Sequence, residues 1–117
     1  MNFLHRLNEF FRELIGINPR YKAIFIEDPP DQVLDGVIYL IGENSNPWSA
    51  SFICPCGCKE LISLSLIKAD HPSWRASYRR DGSDITIHPS VWRTKGCRSH
   101  FFIRKGRVVW AMDDSHK

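Results

Sequence analysis

Residues 51–67 read SFICPCGCKELISLSLI. A β-forming run enters, cysteines follow at positions 54, 56 and 58, and a second β-forming run leaves. In the outgoing half Leu61 and Ser63 fall on one face, with Ile62, Leu64 and in part Leu66 on the other. That period of two marks a strand with one buried side. On a straight strand Cys54 and Cys58 would lie roughly 13 Å apart, at about 3.3 Å per residue. A single zinc ion, with Zn–S bonds of about 2.3 Å, reaches both only if the chain folds back between them. Pro55 sets a bend and Gly57 admits positive φ, so the expected unit is strand, tight loop, strand.

The same period extends in both directions. Upstream, Tyr21–Glu27, Gly36–Glu43 and Trp48–Ile53 read as strands, the first closed by Asp28-Pro29-Pro30. Downstream, Trp74–Arg79 and Asp84–His88 flank Arg80-Asp81-Gly82-Ser83, a hairpin signal. Ser99–Arg104 and Arg107–Met112 flank Lys105-Gly106, a second hairpin. Only the beginning of the chain departs from this pattern. There Phe3, Leu4, Leu7, Phe10, Phe11 and Leu14 recur at helical spacing, and Gly16 and Pro19 end the run. The expected fold class is therefore α+β, mostly β: a small antiparallel sheet domain with a zinc-knuckle loop and an N-terminal amphipathic helix. The expected organisation is a single domain over 1–117, with a helix at 2–16 and a zinc-stapled β domain at 20–113.

The chain has 117 residues and 14 aromatics counting Phe, Trp and Tyr, enough for one core that benefits from a staple. The net charge of +3 is too small to argue for nucleic acid by itself. No apolar run approaches the roughly 18 residues that a membrane span requires. Glu9 and Glu13 interrupt the first apolar stretch, unlike an export signal, so a reducing cytoplasm is expected. In that compartment three thiols within five residues point to a metal rather than to disulfides.

A fourth cysteine stands in Cys97-Arg98-Ser99-His100, the spacing of a zinc knuckle, with Gly96 easing its turn. Five donors then compete for four places. Either Cys54, Cys56, Cys58 and Cys97 hold the ion and His100 is free, or His100 completes the site and one cysteine is spare. The all-cysteine set is preferred. So thiolate-rich a site is a poor Lewis acid, so the Zn2+ reads as structural rather than catalytic.

A free His100 opens a chemical reading. Ser90 sits at a strand end, where Pro89 breaks the ladder, in T86-I-H-P-S-V-W92. If that segment meets the metal loop, Ser90, His100 and Glu60 form a nucleophile, a base and an orienting carboxylate. His88 is a weaker base candidate. The competing plain reading makes Ser90 a turn residue and His100 a ligand. Arg and Lys residues between 75 and 107, interleaved with Trp74, Trp92, Phe101, Phe102 and Trp110, also leave open a zinc-ribbon nucleic-acid binder.

The combination C-P-C-G-C-K-E-L-I-S-L, Trp74, I-T-I-H-P-S-V-W and G-C-R-S-H-F-F-I-R-K-G-R-V-V-W resembles a family of small bacterial proteins. They are encoded beside ubiquitin-like proteins and their E1- and E2-type enzymes. The likeness covers roughly residues 36 to 110. It implies a cytosolic protein of a ubiquitin-like conjugation pathway connected with anti-phage defence. It implies a metal-containing peptidase that trims or releases the tail of a ubiquitin-like protein. The partners implied are that protein and its E1- and E2-like enzymes. A non-catalytic zinc module docking the same partners is the alternative. The matching positions are Cys54, Cys56, Cys58, Glu60, Ser90, Cys97, Ser99 and His100. Lys59 stands where a small residue, often Gly, is expected.

Overall fold

The computed structural model describes residues 20–44 and 46–111. Eight strands follow one another: β1 (Lys22–Ile26), β2 (Val37–Glu43), β3 (Asn46–Ile53), β4 (Leu61–Ser65), β5 (Arg75–Ser77), β6 (Thr86–Trp92), β7 (His100–Arg104) and β8 (Arg107–Trp110). They form two four-stranded sheets, β1-β2-β3-β4 and β5-β6-β7-β8. The described residues are thus all-β, which corrects the α+β expectation. The helical stripe read at 2–16 lies outside the described residues.

The expectation of an antiparallel sheet also needs correction at one strand. β1 pairs parallel with β2, in the register Lys22↔Val37 to Ile26↔Ile41. The cause is in the connection. Pro29 and Pro30 favour extended backbone, so segment 27–36 carries the chain back to the start of β1 instead of closing a hairpin. The Leu34 N–H donates to the Tyr39 hydroxyl at 3.0 Å and lays this segment over the outer side of β2. That cover explains why β2 is buried at Ile38, Tyr39, Leu40 and Ile41 alike, as a strand covered on both faces must be.

One buried cluster draws on both sheets. Phe52 of β3 and Phe101 of β7, both fully buried, meet edge-on at 6.4 Å, and Tyr21 meets Phe52 at 5.5 Å. The edge-to-face geometry suits the quadrupoles of the rings. The Tyr21 hydroxyl donates to the Ile53 carbonyl at 2.8 Å, so its one polar atom is satisfied inside.

The start of β1 ties the sheets together. The Tyr21 N–H donates to the Gly106 carbonyl at 2.6 Å, and the Ala23 N–H to the Gly82 carbonyl at 2.9 Å. Gly82 has φ +84, and a Cβ there would collide with the Ala23 carbonyl. Its hairpin turn therefore requires glycine both for conformation and for space. At the far end of the second sheet the β6–β7 register shifts between Ile87 and Val91, around Pro89. Proline cannot donate to the ladder, so the strand bulges there. That bulge carries Ser90.

Candidate active site

The loops 54–60 and 93–99 face each other at one end of the two sheets. The Cys54 N–H donates to the Glu60 carbonyl at 2.9 Å and closes the first. The Arg93 N–H donates to the Ser99 carbonyl at 2.8 Å and closes the second. Each loop reverses direction around a cysteine flanked by left-handed residues. Gly57 (φ 98) and Lys59 (φ 66) bracket Cys58, while Gly96 (φ 71) and Arg98 (φ 56) bracket Cys97. Lys59 thus occupies a conformation that glycine accepts most readily, which accounts for the small residue expected there.

This geometry turns backbone N–H groups toward sulfur: Cys56 toward Cys54, Cys58 toward Cys56 and Ser99 toward Cys97. The ligand atoms of Cys54, Cys56, Cys58 and Cys97 all lie within 4.8 Å of one another. Cys54 Sγ is 3.5 Å from Cys56 Sγ and 3.7 Å from Cys97 Sγ. A tetrahedron with Zn–S bonds of about 2.3 Å has edges of about 3.8 Å, so the donor set fits a tetrahedral thiolate-bound ion such as zinc.

The thiols are electrostatically unequal. The Ser99 hydroxyl, 3.2 Å from Cys97 Sγ, draws that thiol down to about 6, helped by the Ser99 N–H. The same hydroxyl is the main cause that lowers Cys56. Burial pushes Cys54 up to about 12. Cys97 thus offers a ready thiolate, and Cys54 a buried thiol whose proton a metal must displace.

Arg93 joins the loops. Its guanidinium pairs with Glu60 at 2.5 Å and points at the sulfurs of Cys58 and Cys97, each 3.9 Å away. Glu60 was expected to orient His100; its carboxylate goes to Arg93 instead. The reason is local: two residues past Cys58, Glu60 lies over the Gly96 turn, where a Cβ would come within 3.3 Å of its oxygens.

Ser90 and His100 come together apart from this pair. Ser90 Oγ is 2.9 Å from His100 Nε2. β6 and β7 make this contact, with Trp92 paired to His100 across the ladder. The Trp92 ring stacks on the imidazole at 5.0 Å and 14°, and Phe102 lies at 6.2 Å. The Trp74 indole N–H donates to the Ser90 carbonyl at 3.2 Å and anchors the bulge. Ser90 and His100 are each half-buried, beside a Trp92 that is 54% exposed. The other notable serines are otherwise engaged: buried Ser99 faces sulfur, and Ser51 bonds Ser63 at 3.0 Å. His88 is exposed on β6, opposite Arg75.

A hydroxyl on an imidazole nitrogen is what serine acyl transfer requires. A protein-family model described as BubE, bacterial ubiquitination-like system serine protease, matches residues 25–111. The chain belongs to the BubE family. No curated protein and no solved structure matches it. Membership makes the chain a serine protease, hence a hydrolase, of a bacterial ubiquitination-like system, with the components of that system as its partners.

Sequence reasoning missed two contributors in this BubE-family chain. In sequence Trp92 is one aromatic among cations, although its position opposite His100 follows from the β6–β7 pairing. Arg93 is one of the many cations between residues 75 and 107. The signal that singles it out is its place four residues before Cys97, at the mouth of the second loop.

Proposed function

We propose that this protein is a zinc-stapled serine peptidase that processes or deconjugates the C-terminal tail of a ubiquitin-like protein. Ser90 is its nucleophile and His100 its general base. The observation that carries the reading is the 2.9 Å contact between half-buried Ser90 Oγ and His100 Nε2.

The imidazole accepts at Nε2, so the ring proton rests on Nδ1. As Ser90 Oγ bonds to the scissile carbonyl carbon, its proton passes to His100 Nε2. His100 then gives that proton to the departing nitrogen, and the C–N bond breaks. Water repeats the cycle on the acyl-serine, losing its proton to Nε2 and releasing the carboxylate product. The face of Trp92 favours the imidazolium formed in each half-reaction.

Cys54, Cys56, Cys58 and Cys97 would hold the zinc, which supplies a rigid cross-link and no step of the chemistry. Cys97 stands three residues before His100, so the cross-link fixes the base through its own strand. Arg93, pinned by Glu60, offsets the negative charge of four thiolates. The protein acts where the conjugation machinery is made, in the cytoplasm.

Extended, Gly-rich tails bind by adding to a sheet edge. β5 pairs with β6 only from Thr86 to His88, so past the Ser90 carbonyl, which takes the Trp74 indole N–H, β6 has no strand beside it on that flank among the described residues. A ubiquitin-like protein carrying a C-terminal extension is the test substrate. The protein should cut it behind the Gly-rich tail, and Ser90→Ala should abolish the cut. Undiminished cleavage by Ser90→Ala would refute the assignment.

A further inference from the structure

The outer face of the second sheet continues beyond the Ser90–His100 pair. Along β7, His100, Phe102 and Arg104 share one side, and β8 places Val109 opposite Phe102 and Arg107 opposite Arg104. Arg20 in turn bridges to Arg107 from the other flank. Three arginines therefore stand in line across neighbouring backbones. Like charges directly opposite one another on a sheet are destabilising. Among the described residues none of the three makes an ion pair. The acidic residue in the lining of the same groove, Asp84, is engaged by Arg79 at 3.4 Å. The Arg104 guanidinium lies 4.4 Å over the Phe102 ring. Together with Lys105 these arginines line a groove of about 670 Å³.

A groove with four cations against one carboxylate, and with one guanidinium stacked on a ring, is prepared for an anion. The groove also lies in line with the hydrolytic pair. From His100 to Arg104 is four residues, or about 13 Å of extended chain. We propose that this groove is a substrate subsite, binding a peptide carboxylate about four residues from the scissile bond. This rests on Ser90 and His100 being the cleaving pair. The carboxylate comes from an acidic side chain or from a chain terminus. A peptide suits the site better than nucleic acid, because Phe102 and Val109, paired across β7 and β8, make the approach to it apolar.

The test uses short extended peptides of Gly, Ser and Leu with amidated ends, carrying one Asp moved position by position, and matched peptides carrying Asn. Binding to Ser90→Ala is read by fluorescence anisotropy, and cleavage by the native protein is read by mass spectrometry. The best Asp peptide should bind about tenfold more tightly than its Asn match, the effect of a few surface ion pairs acting together. Its Asp should lie about four residues from the bond that is cut. The same peptide with Asn and a free carboxyl end separates the chain-terminus source from the side-chain source. Arg104→Glu/Arg107→Glu should lose the Asp preference and prefer Lys at that position. Equal binding of Asp and Asn peptides would overturn the proposal, as would an unchanged preference in the reversed variant. So would tighter binding of single-stranded oligonucleotide than of the Asp peptide. If Asp is selected but no peptide is cut, the groove stands as a carboxylate-binding site, while its place relative to a scissile bond falls with the role of Ser90.

Discussion

Stripping the metal from the cysteine cluster should cost a large and calculable part of the stability. Cys54 and Cys97 are 43 residues apart in sequence, and their sulfurs lie 3.7 Å apart. An ion holding both acts as a clip across that loop, and its binding free energy becomes folding free energy. Loop-closure entropy for this length is about 4 kcal/mol at 25 °C. Domains of this size are stable by about 5–15 kcal/mol, so the cross-link is a major share. At about 4–8 °C per kcal/mol, its loss should lower the unfolding midpoint by about 15–30 °C. The assay is thermal unfolding by circular dichroism with and without a strong chelator, alongside elemental analysis. One metal ion per chain is expected, and Cys97→Ser should reproduce the chelated midpoint. Protein without bound metal, whose midpoint is unmoved by the chelator, would refute the reasoning.

Three further outcomes can be checked. Ser90→Ala should reduce turnover by at least about 10³-fold, as loss of a serine nucleophile does elsewhere, and should abolish labelling by a fluorophosphonate. Its unfolding midpoint should stay within a few degrees of the native one. His100→Ala should lose activity to a similar degree yet retain its metal in elemental analysis; loss of the ion would make His100 a ligand. Arg93→Met removes the guanidinium that reaches Cys58, Cys97 and Glu60. Chelator competition should show metal affinity reduced by about 10–100-fold, the usual effect of disturbing a group that supports the ligands.

The strands were legible because their signals are local. Alternation in Leu61–Ser65, and turn residues at Asp81-Gly82 and Lys105-Gly106, each act within a few residues. Strand pairing is not local, and there the reading stopped short. Nothing in the alternation of Lys22–Ile26 says that its neighbour runs parallel; the tell was the double proline after it, which reads as a loop without a direction. The gathering of the cysteines was legible because thiols are rare and their spacing is chemical. The partner of Glu60 was not, since a carboxylate fits an imidazole and a guanidinium equally well on paper. Folding decided it, by laying Glu60 over Gly96 beside Arg93. The Ser90–His100 meeting could be suspected from residue type, but only the bulge at Pro89 and the pairing of Trp92 with His100 bring it about.

The bonds from Tyr21 to Gly106 and from Ala23 to Gly82 carry a practical consequence for anyone trimming this protein. The family match starts at residue 25, which invites a truncated version beginning there. Such a fragment would lose the clasp that spans both layers and the ring that covers Phe52. Each layer would then be free to fray on its own schedule, and hydrogen exchange at Gly82 and Gly106 would be the first place to see it.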